Sequence, residues 1–318
     1  MMLFVRLSML ILISVFCISC QKQTSKKYDP SLIQREKIDE LFDKEVSEVL
    51  FDHLYVVVDS LTYARLTEDN LWNRMYASFD MGLPDFVPVV ASSSTCYMRG
   101  HLHYLEILGP TNTYNEPVGK SGIGFSLKND GEHFHRGISP KMRGNNGSII
   151  NAAEIVSIPL GVNEQIWFKA FYTPSPGTAL HTWYAFYNPV FLDSLNDQKH
   201  TFYSREAFLQ KSYREDFLFN GINSIHLKCT PEDYHRIAQE MRHLGCRLLE
   251  NNAEKLTIQS GDVFVTLTLS NVKYSRITRL QCRLNRIDNS VTRLGNLTIT
   301  NSGKESVWDF SNVHSAIE

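Results

Sequence analysis

Phe51–Asp59 reads FDHLYVVVD, a run dense in β-branched and aromatic residues, and Ile222–Cys229 reads INSIHLKC just before a Thr-Pro pair. At an offset of 171 residues and without a gap, Phe51–Leu66 falls on Ile222–Ile237, with Tyr63 on Tyr234 and Arg65 on Arg236. Two identities in sixteen are few, but the apolar pattern agrees and the same order of elements follows each run. After the first run, Thr67 opens a helix carrying Leu71, Trp72, Met75, Tyr76 and Phe79 at helical spacing. Strands follow at Val87–Ser92, Thr95–Gly100 and His103–Leu108. After the second run, Thr230 is the N-cap, Pro231 and Asp233 fill the first turn, and Gly245 is the stop. The buried stripe of that helix is Tyr234, Ile237, Ala238, Met241 and Leu244, and strands follow at Arg247–Leu249, Lys255–Gln259 and Val263–Leu269.

Working outward, GIGFSLK at Gly122–Lys128 reads as a strand, Asn151–Ile158 as helix or strand, and Ile166–Tyr172 and Thr182–Tyr187 as aromatic strands, a more divergent copy of the unit. A partial copy spans Thr278–Arg286 and Leu294–Phe310, and polar insertions such as Asn129–Ser148 fall where the repeats need loops. On the N-terminal side, Ile38, Leu41, Phe42, Val46, Val49 and Leu50 share one helical face. The expected fold class is therefore α+β, with repeated βαβββ modules building mixed sheets. The boundaries are 31–50 for an introductory helix, 51–190 for a module pair, 191–219 for a linker and 220–318 for a further module with a partial repeat.

Composition bounds function weakly. The 318 residues carry a net charge of −2, and no basic stripe interleaved with aromatics is present, so nucleic acid is not an expected partner. Cys96, Cys229, Cys246 and Cys282 lack CxxC spacing; they read either as buried apolar residues or, in an oxidising compartment, as up to two bridges, with Cys229 and Cys246 flanking one helix. There is no GxSxG, Walker loop, HExxH or EF-hand loop.

The N-terminus gives an address. Arg6 precedes an apolar run from Leu7 to Ile18, shorter than the ~20 residues a spanning helix needs. Cys17-Ile18-Ser19-Cys20 resembles the lipobox of bacterial lipoproteins, departing from it where Cys17 replaces the usual Leu. The resemblance implies a signal peptide over 1–19 and lipid attachment at Cys20, which would make a membrane the partner of the anchor. Residues 20–30 would be an anchor and solvated spacer, since Gln21–Lys27 carries three lysines and no acid. The expected location is the cell envelope, on the outer membrane facing the periplasm. Asp59-Ser60-Leu61 and Asp193-Ser194-Leu195 resemble an O-glycosylation motif of some bacterial envelopes.

With the texture FDHLYVVVD, YLEIL and GIGFSL, the repeated units resemble the vicinal-oxygen-chelate, or glyoxalase-like, superfamily, and look most like bacterial envelope proteins of that type. That resemblance implies a divalent metal, Zn, Fe, Ni or Mn, held in the cup of a sheet by a His from the first strand and a Glu from the last strand of each of two modules. His53 and Glu106 match one such pair. The pattern is not completed: GIGFSLK offers Ser126, HTWYAFY offers Tyr184 and Phe186, and the residue aligned with His53 in the later module is Ser224, with His226 two positions on. The candidate metal set is therefore His53, Glu106 and His226, with His133 or His135 from the insertion as further donors.

Read without the resemblance, a carboxylate inside the apolar strand YLEIL needs water or a partner, so Glu106 is also the candidate catalytic base. Trp183, Tyr184 and Ser126 are the candidate ligand-binding residues, Trp183 and Tyr184 with Phe186 and Tyr187 forming an aromatic wall. His101 and His103, on the opposite parity from Glu106, read as surface residues. Three functions stay open: a module binding a small organic ligand, a metal-dependent lyase, isomerase or dioxygenase, and a structural partner in an envelope complex that uses the insertions around Asn145.

Overall fold

In a computed structural model the described residues are 49–69, 72, 75–127, 152–172, 180–243 and 246–315, with short strand pieces at 26–27, 143–144 and 147–148. The signal peptide, Cys20, the introductory helix up to residue 48, and His133 and His135 lie outside the described residues. The one described part of the spacer, β1 (Lys26–Lys27), runs along the sheet edge opposite Ile155 and Glu154.

The first module is β2 (Val49–Val57), α1 (Ser60–Glu68), β3 (Ser78–Asp80), β4 (Thr95–Arg99) and β5 (Tyr104–Leu108). The second is β6 (Ser121–Leu127), the hairpin β7 (Arg143–Gly144) and β8 (Gly147–Ser148), then β9 (Ala152–Leu160), β10 (Asn163–Tyr172) and β11 (His181–Tyr187). Helices α2 (Pro189–Asn196) and α3 (Arg205–Leu209) lead to the third module: β12 (Phe219–Cys229), α4 (Pro231–His243), β13 (Arg247–Asn251), β14 (Lys255–Ser260) and β15 (Val263–Leu269). The partial copy is β16 (Arg276–Asp288), β17 (Val291–Leu294) and β18 (Leu297–Asp309), closed by α5 (Ser311–Ser315).

Two mixed sheets result, in the orders β1-β9-β10-β11-β6-β2-β5-β4-β3 and β13-β14-β15-β12-β16-β18-β17. The rule is the same in three modules: the first strand lies parallel to the last strand of its own unit, as in β2 with β5, β6 with β11 and β12 with β15. First strands of adjacent units then join antiparallel, β2 with β6 and β12 with β16. Parallel neighbours need a crossover, which α1 and α4 supply in the first and third modules. These are the repeated modules that the sequence predicts, arranged as an α+β fold.

Side-chain alternation separates two cores. Leu54 and Val56 of β2, Ile225 and Leu227 of β12, and the stripe Tyr234, Ile237, Ala238 and Met241 of α4 belong to one core that takes a face from each sheet. Tyr55 and Val57 point to the other side of the first sheet, where Phe191 and Leu192 of α2 and Phe208 of α3 cover them. Each fully buried residue of this size contributes about 1.5–3 kcal/mol. The linker of the sequence reading is therefore a pair of helices roofing the first sheet.

Several expectations are corrected. Val49 and Leu50 open β2 rather than close a helix, because their neighbours Phe51–Val57 extend the β-branched run to which they belong. A helix that the sequence did not mark starts at Ser60, where Asp59 caps it through the Thr62 amide at 3.0 Å; in the expected helix Trp72 and Met75 are helical, but Asp69 rather than Thr67 precedes it, accepting from the Trp72 amide at 2.9 Å. Phe79 lies in β3, and Val87–Ser92 is turn and coil with one bridge from Pro88 to Asp80; Pro84 and Pro88 lack the N–H groups that a ladder requires. The stretch read as helix or strand is strand from Ala152 onward, and Asn151 lies outside the described residues. Cys96, Cys229, Cys246 and Cys282 are free and buried. His103 is wholly buried, because the face opposite Glu106 is covered by the second sheet rather than by water.

A polar seam joins the second and third modules. Arg236 of α4 pairs with Glu240 at 3.0 Å and Asp233 at 2.9 Å, and it donates to the carbonyl of Leu180. Glu240, fully buried, accepts from Thr182 at 2.7 Å and Tyr184 at 2.6 Å on β11. Among the described residues no helix is long and apolar enough to cross a membrane.

Candidate functional site

The pairing of β2 with β6 shifts register between Phe51 and Leu54. Such a bulge breaks strict alternation, and Asp52 and His53 end up hydrogen-bonded to each other, His53 Nδ1 to Asp52 Oδ2 at 2.8 Å. The hydroxyl of Tyr187, from β11, donates to the same carboxylate oxygen. Burial alone would raise the Asp52 carboxyl, but the His53 charge, the hydrogen bonds from His53 and Tyr187, and Arg205 together hold it below the usual carboxylate range. An ionised carboxylate only accepts, so Nδ1 of His53 carries a proton, and in the neutral ring Nε2 is then the acceptor. The ring is fixed by stacking on Tyr104 at 4.3 Å and by an edge contact with Trp183 at 5.0 Å.

His53 faces a cavity of about 300 Å³ that Tyr55, Glu106, Tyr114, Glu116, Glu154, His181 and Trp183 also line. Glu106, opposite Tyr55 in the parallel ladder, accepts from the Tyr97 hydroxyl at 3.1 Å. Burial raises its carboxyl above the ordinary range, against the pull of His53, the Tyr97 hydrogen bond and Arg99. Below it, Arg99 makes two 2.9 Å hydrogen bonds to Asp80 and lies 4.7 and 4.8 Å from the Tyr97 and Tyr104 ring centres. Its charge is thus spent inside the wall rather than offered to the cavity. Burial, with Lys120 and Arg236 nearby, pushes His181 down to about 3, so it is neutral at ordinary pH. The buried hydroxyl of Tyr55 has no hydrogen-bond partner among the described residues.

His53, Glu106 and Trp183 are thus brought together; Ser126, Tyr184 and His226 are not among the residues lining this cavity. Parity separates Tyr184 from Trp183: Trp183 and Tyr187 face the cavity side, whereas Tyr184 and Phe186 face the core shared by the two sheets, and Tyr184 ends on Glu240. Ser126 is buried beyond the cavity lining. His226 lies in the other sheet, 3.0 Å from Ser224, so it cannot complete a shell around His53.

The second module brings Glu154 and His181 to the cavity lining, but its first strand, β6, brings no metal-ligating side chain there. Gly122 and Gly124 of β6 lie opposite His181 and Trp183. A Cβ at Gly122 would stand 2.2 Å from the Tyr55 ring and 2.7 Å from that of Trp183, and one at Gly124 2.5 Å from Trp183. The two rings therefore occupy the space that a side chain at either glycine would need. Among the described residues no group of three or more His, Cys, Asp or Glu side chains converges as a metal site. His53 with Glu106 is half of the set that the superfamily resemblance implies, and the residues present do not fit the complete one.

Asp52, Tyr55 and His181 escaped the sequence reading, and Tyr187 was read only as part of an aromatic wall. Alternation along HTWYAFY would have grouped His181, Trp183 and Tyr187; nothing local marked the bulge that turns Asp52 toward His53.

A model of a family of unknown function, DUF5829, matches residues 51–310. No curated protein sequence matches the chain. Among solved structures, a hypothetical protein from Staphylococcus aureus is similar with a TM-score of 0.41 and 12% identity, over 72% of this chain and 88% of the other. A xylose isomerase-like TIM barrel/4-hydroxyphenylpyruvate dioxygenase fusion protein gives 0.35 and 12%, over 74% of this chain and 37% of the fusion. A triple mutant of 4-hydroxymandelate synthase from Streptomyces coelicolor gives 0.29 and 9%, over 72% and 64%. At these values the likenesses carry no argument about activity.

Proposed function

Because the chain belongs to DUF5829, a family of unknown function, its activity has to be argued from the cavity, and we propose that it binds a small organic ligand there without superfamily metal chemistry. The observation that carries this reading is the packing of Tyr55 and Trp183 onto Gly122 and of Trp183 onto Gly124, which leaves no room for a ligating side chain at either position. What is left is a binding cavity of ordinary composition: aromatic walls, with the Nε2 of His53, the Glu106 carboxyl and the Tyr55 hydroxyl as a few fixed polar groups. The Asp52 and Tyr187 contacts behind His53 preorganise one of them.

Metal analysis by mass spectrometry tests this on protein purified without chelator. Divalent metal well below one equivalent, and unchanged in His53→Ala, is the expected result. A full equivalent lost in His53→Ala would replace the proposal with the metal-dependent lyase, isomerase or dioxygenase reading, in which His53 and Glu106 are ligands.

The proposal includes a place. The lipobox-like Cys17–Cys20 stretch supports an acyl anchor on Cys20, with the folded modules at the cell envelope, and the spacer composition supports the outer membrane facing the periplasm. Fatty-acid labelling of the wild type, lost in Cys20→Ala together with membrane fractionation, is the expected outcome; unlabelled wild-type protein would remove the anchor from the reading.

A further inference from the structure

We propose that the ligand of this cavity is an organic cation, a primary ammonium on an apolar body, with its three N–H donors directed to Glu106, the Tyr55 hydroxyl and His53 Nε2. The inference rests on the ligand-binding reading above and names the class of molecule.

Charge is the first argument. Glu106, Glu116 and Glu154 all line the cavity. Lys120 lies 3.3 Å from Glu116, and Arg99 is committed to Asp80. Glu106 has the Tyr97 hydroxyl as its hydrogen-bond partner and no ion pair among the described residues. A carboxylate held off bulk water without a cation is costly, and a ligand ammonium supplies the missing partner. An anionic ligand would meet the same carboxylates, with no described cation free to oppose them.

Unsatisfied hydrogen bonding is the second argument, independent of charge. The Tyr55 hydroxyl is buried in the wall with no hydrogen-bond partner among the described residues. Tyr55 is the ladder partner of Glu106 and lies two residues from His53 on the same strand, so the three groups are neighbours on one face. An ammonium has three donors and no acceptor, which matches a carboxylate, a phenol oxygen and an imidazole acceptor. Aromatic faces complete the fit: Trp183 and Tyr55 stack at 5.9 Å, and a cation beside such rings is attracted to their electron-rich faces.

The test uses the full chain in detergent and three probes of one shape, benzylamine, benzyl alcohol and benzoate, titrated by calorimetry and by Trp fluorescence. Benzylamine is expected to bind about tenfold or more tighter than the other two. Glu106→Gln should remove that advantage, and Tyr55→Phe should weaken benzylamine severalfold while thermal unfolding stays cooperative. The second variant covers the case in which Glu106→Gln does not fold. Benzyl alcohol or benzoate binding as well as benzylamine would overturn the cation and leave the ligand-binding reading standing. If neither these probes nor a broad fragment set binds, the cavity is not a ligand site and both readings fall.

Discussion

The Trp183 indole packs so closely on Gly124 that a methyl group on that glycine would stand 2.5 Å from its Cε2. Bonded geometry does not tolerate such an approach, and neither the indole nor the strand backbone is a flexible tip. Gly124→Ala is therefore expected to destabilise the protein by about 1–3 kcal/mol through overpacking. Urea unfolding measures it, and combining Gly124→Ala with Trp183→Leu should cost less than the sum of the two single changes.

The orientation of His53 depends on Asp52. In Asp52→Asn the side-chain amide either accepts from Nδ1–H or, turned over, donates to a bare Nδ1, so the fixed tautomer is expected to become a mixture. Nitrogen NMR of the imidazole reads this directly: Nδ1–H alone in the wild type, both forms in the variant. Loss of charge assistance in the two bonds to this carboxylate should lower stability by about 1 kcal/mol.

Arg99 and Asp80 form a buried pair with two 2.9 Å hydrogen bonds, and Asp80 also accepts from the Gly82 amide. Arg99→Met would strand the carboxylate at a cost of about 3–5 kcal/mol. Arg99→Lys keeps the charge but loses the fork and the planar contact with Tyr97 and Tyr104, so a smaller loss of about 1–3 kcal/mol is expected. Denaturant midpoints for both variants test the order; equal losses would mean that charge alone matters.

His103 sets an acid limit. Burial, together with the charges of Arg205 and Arg283, pushes it down to about 4 despite Asp262, whose Oδ1 lies 3.3 Å from Nε2. The unfolded chain takes up this proton near pH 6.5 and the folded chain only near 4, so the contribution is fully present above about 6.5 and is lost as the pH falls toward 4. The drop due to this residue is on the order of 3 kcal/mol. Unfolding free energy measured from pH 7 to 4 should fall less steeply in His103→Gln, and an unchanged slope would assign the limit to other groups.

Strand identity was legible because most strands alternate around β-branched and aromatic residues, as in FDHLYVVVD, and the repeat then dictated a βαβββ order. The punctuation of α4 by Thr230 and Pro231 was equally plain. What failed had identifiable causes. Phe79 continues a helical spacing from Trp72 and Met75 but pairs with Met98 in β3, a tertiary contact that periodicity does not register. His103 was assigned to the correct side of its strand and to the wrong environment, since the sequence does not tell that a second sheet covers that side. At the site, His53 and Glu106 were visible as polar residues in apolar strands. Asp52 depended on a bulge, and the significance of Gly122 and Gly124 depended on Trp183, about sixty residues away.

The seam between α4 and β11 bears on how such a chain can evolve. Glu240 meets Arg236 within its own helix, but the hydroxyls of Thr182 and Tyr184 and the backbone of Leu180 come from a different repeat. A freshly copied module would carry these polar residues with nothing to satisfy them until the correct neighbour settled beside it. Once that has happened, the modules are no longer interchangeable: permuting their order along the gene, or deleting the second one, leaves a buried carboxylate without its hydroxyl donors. The repeat records duplication, and the seam makes the arrangement irreversible.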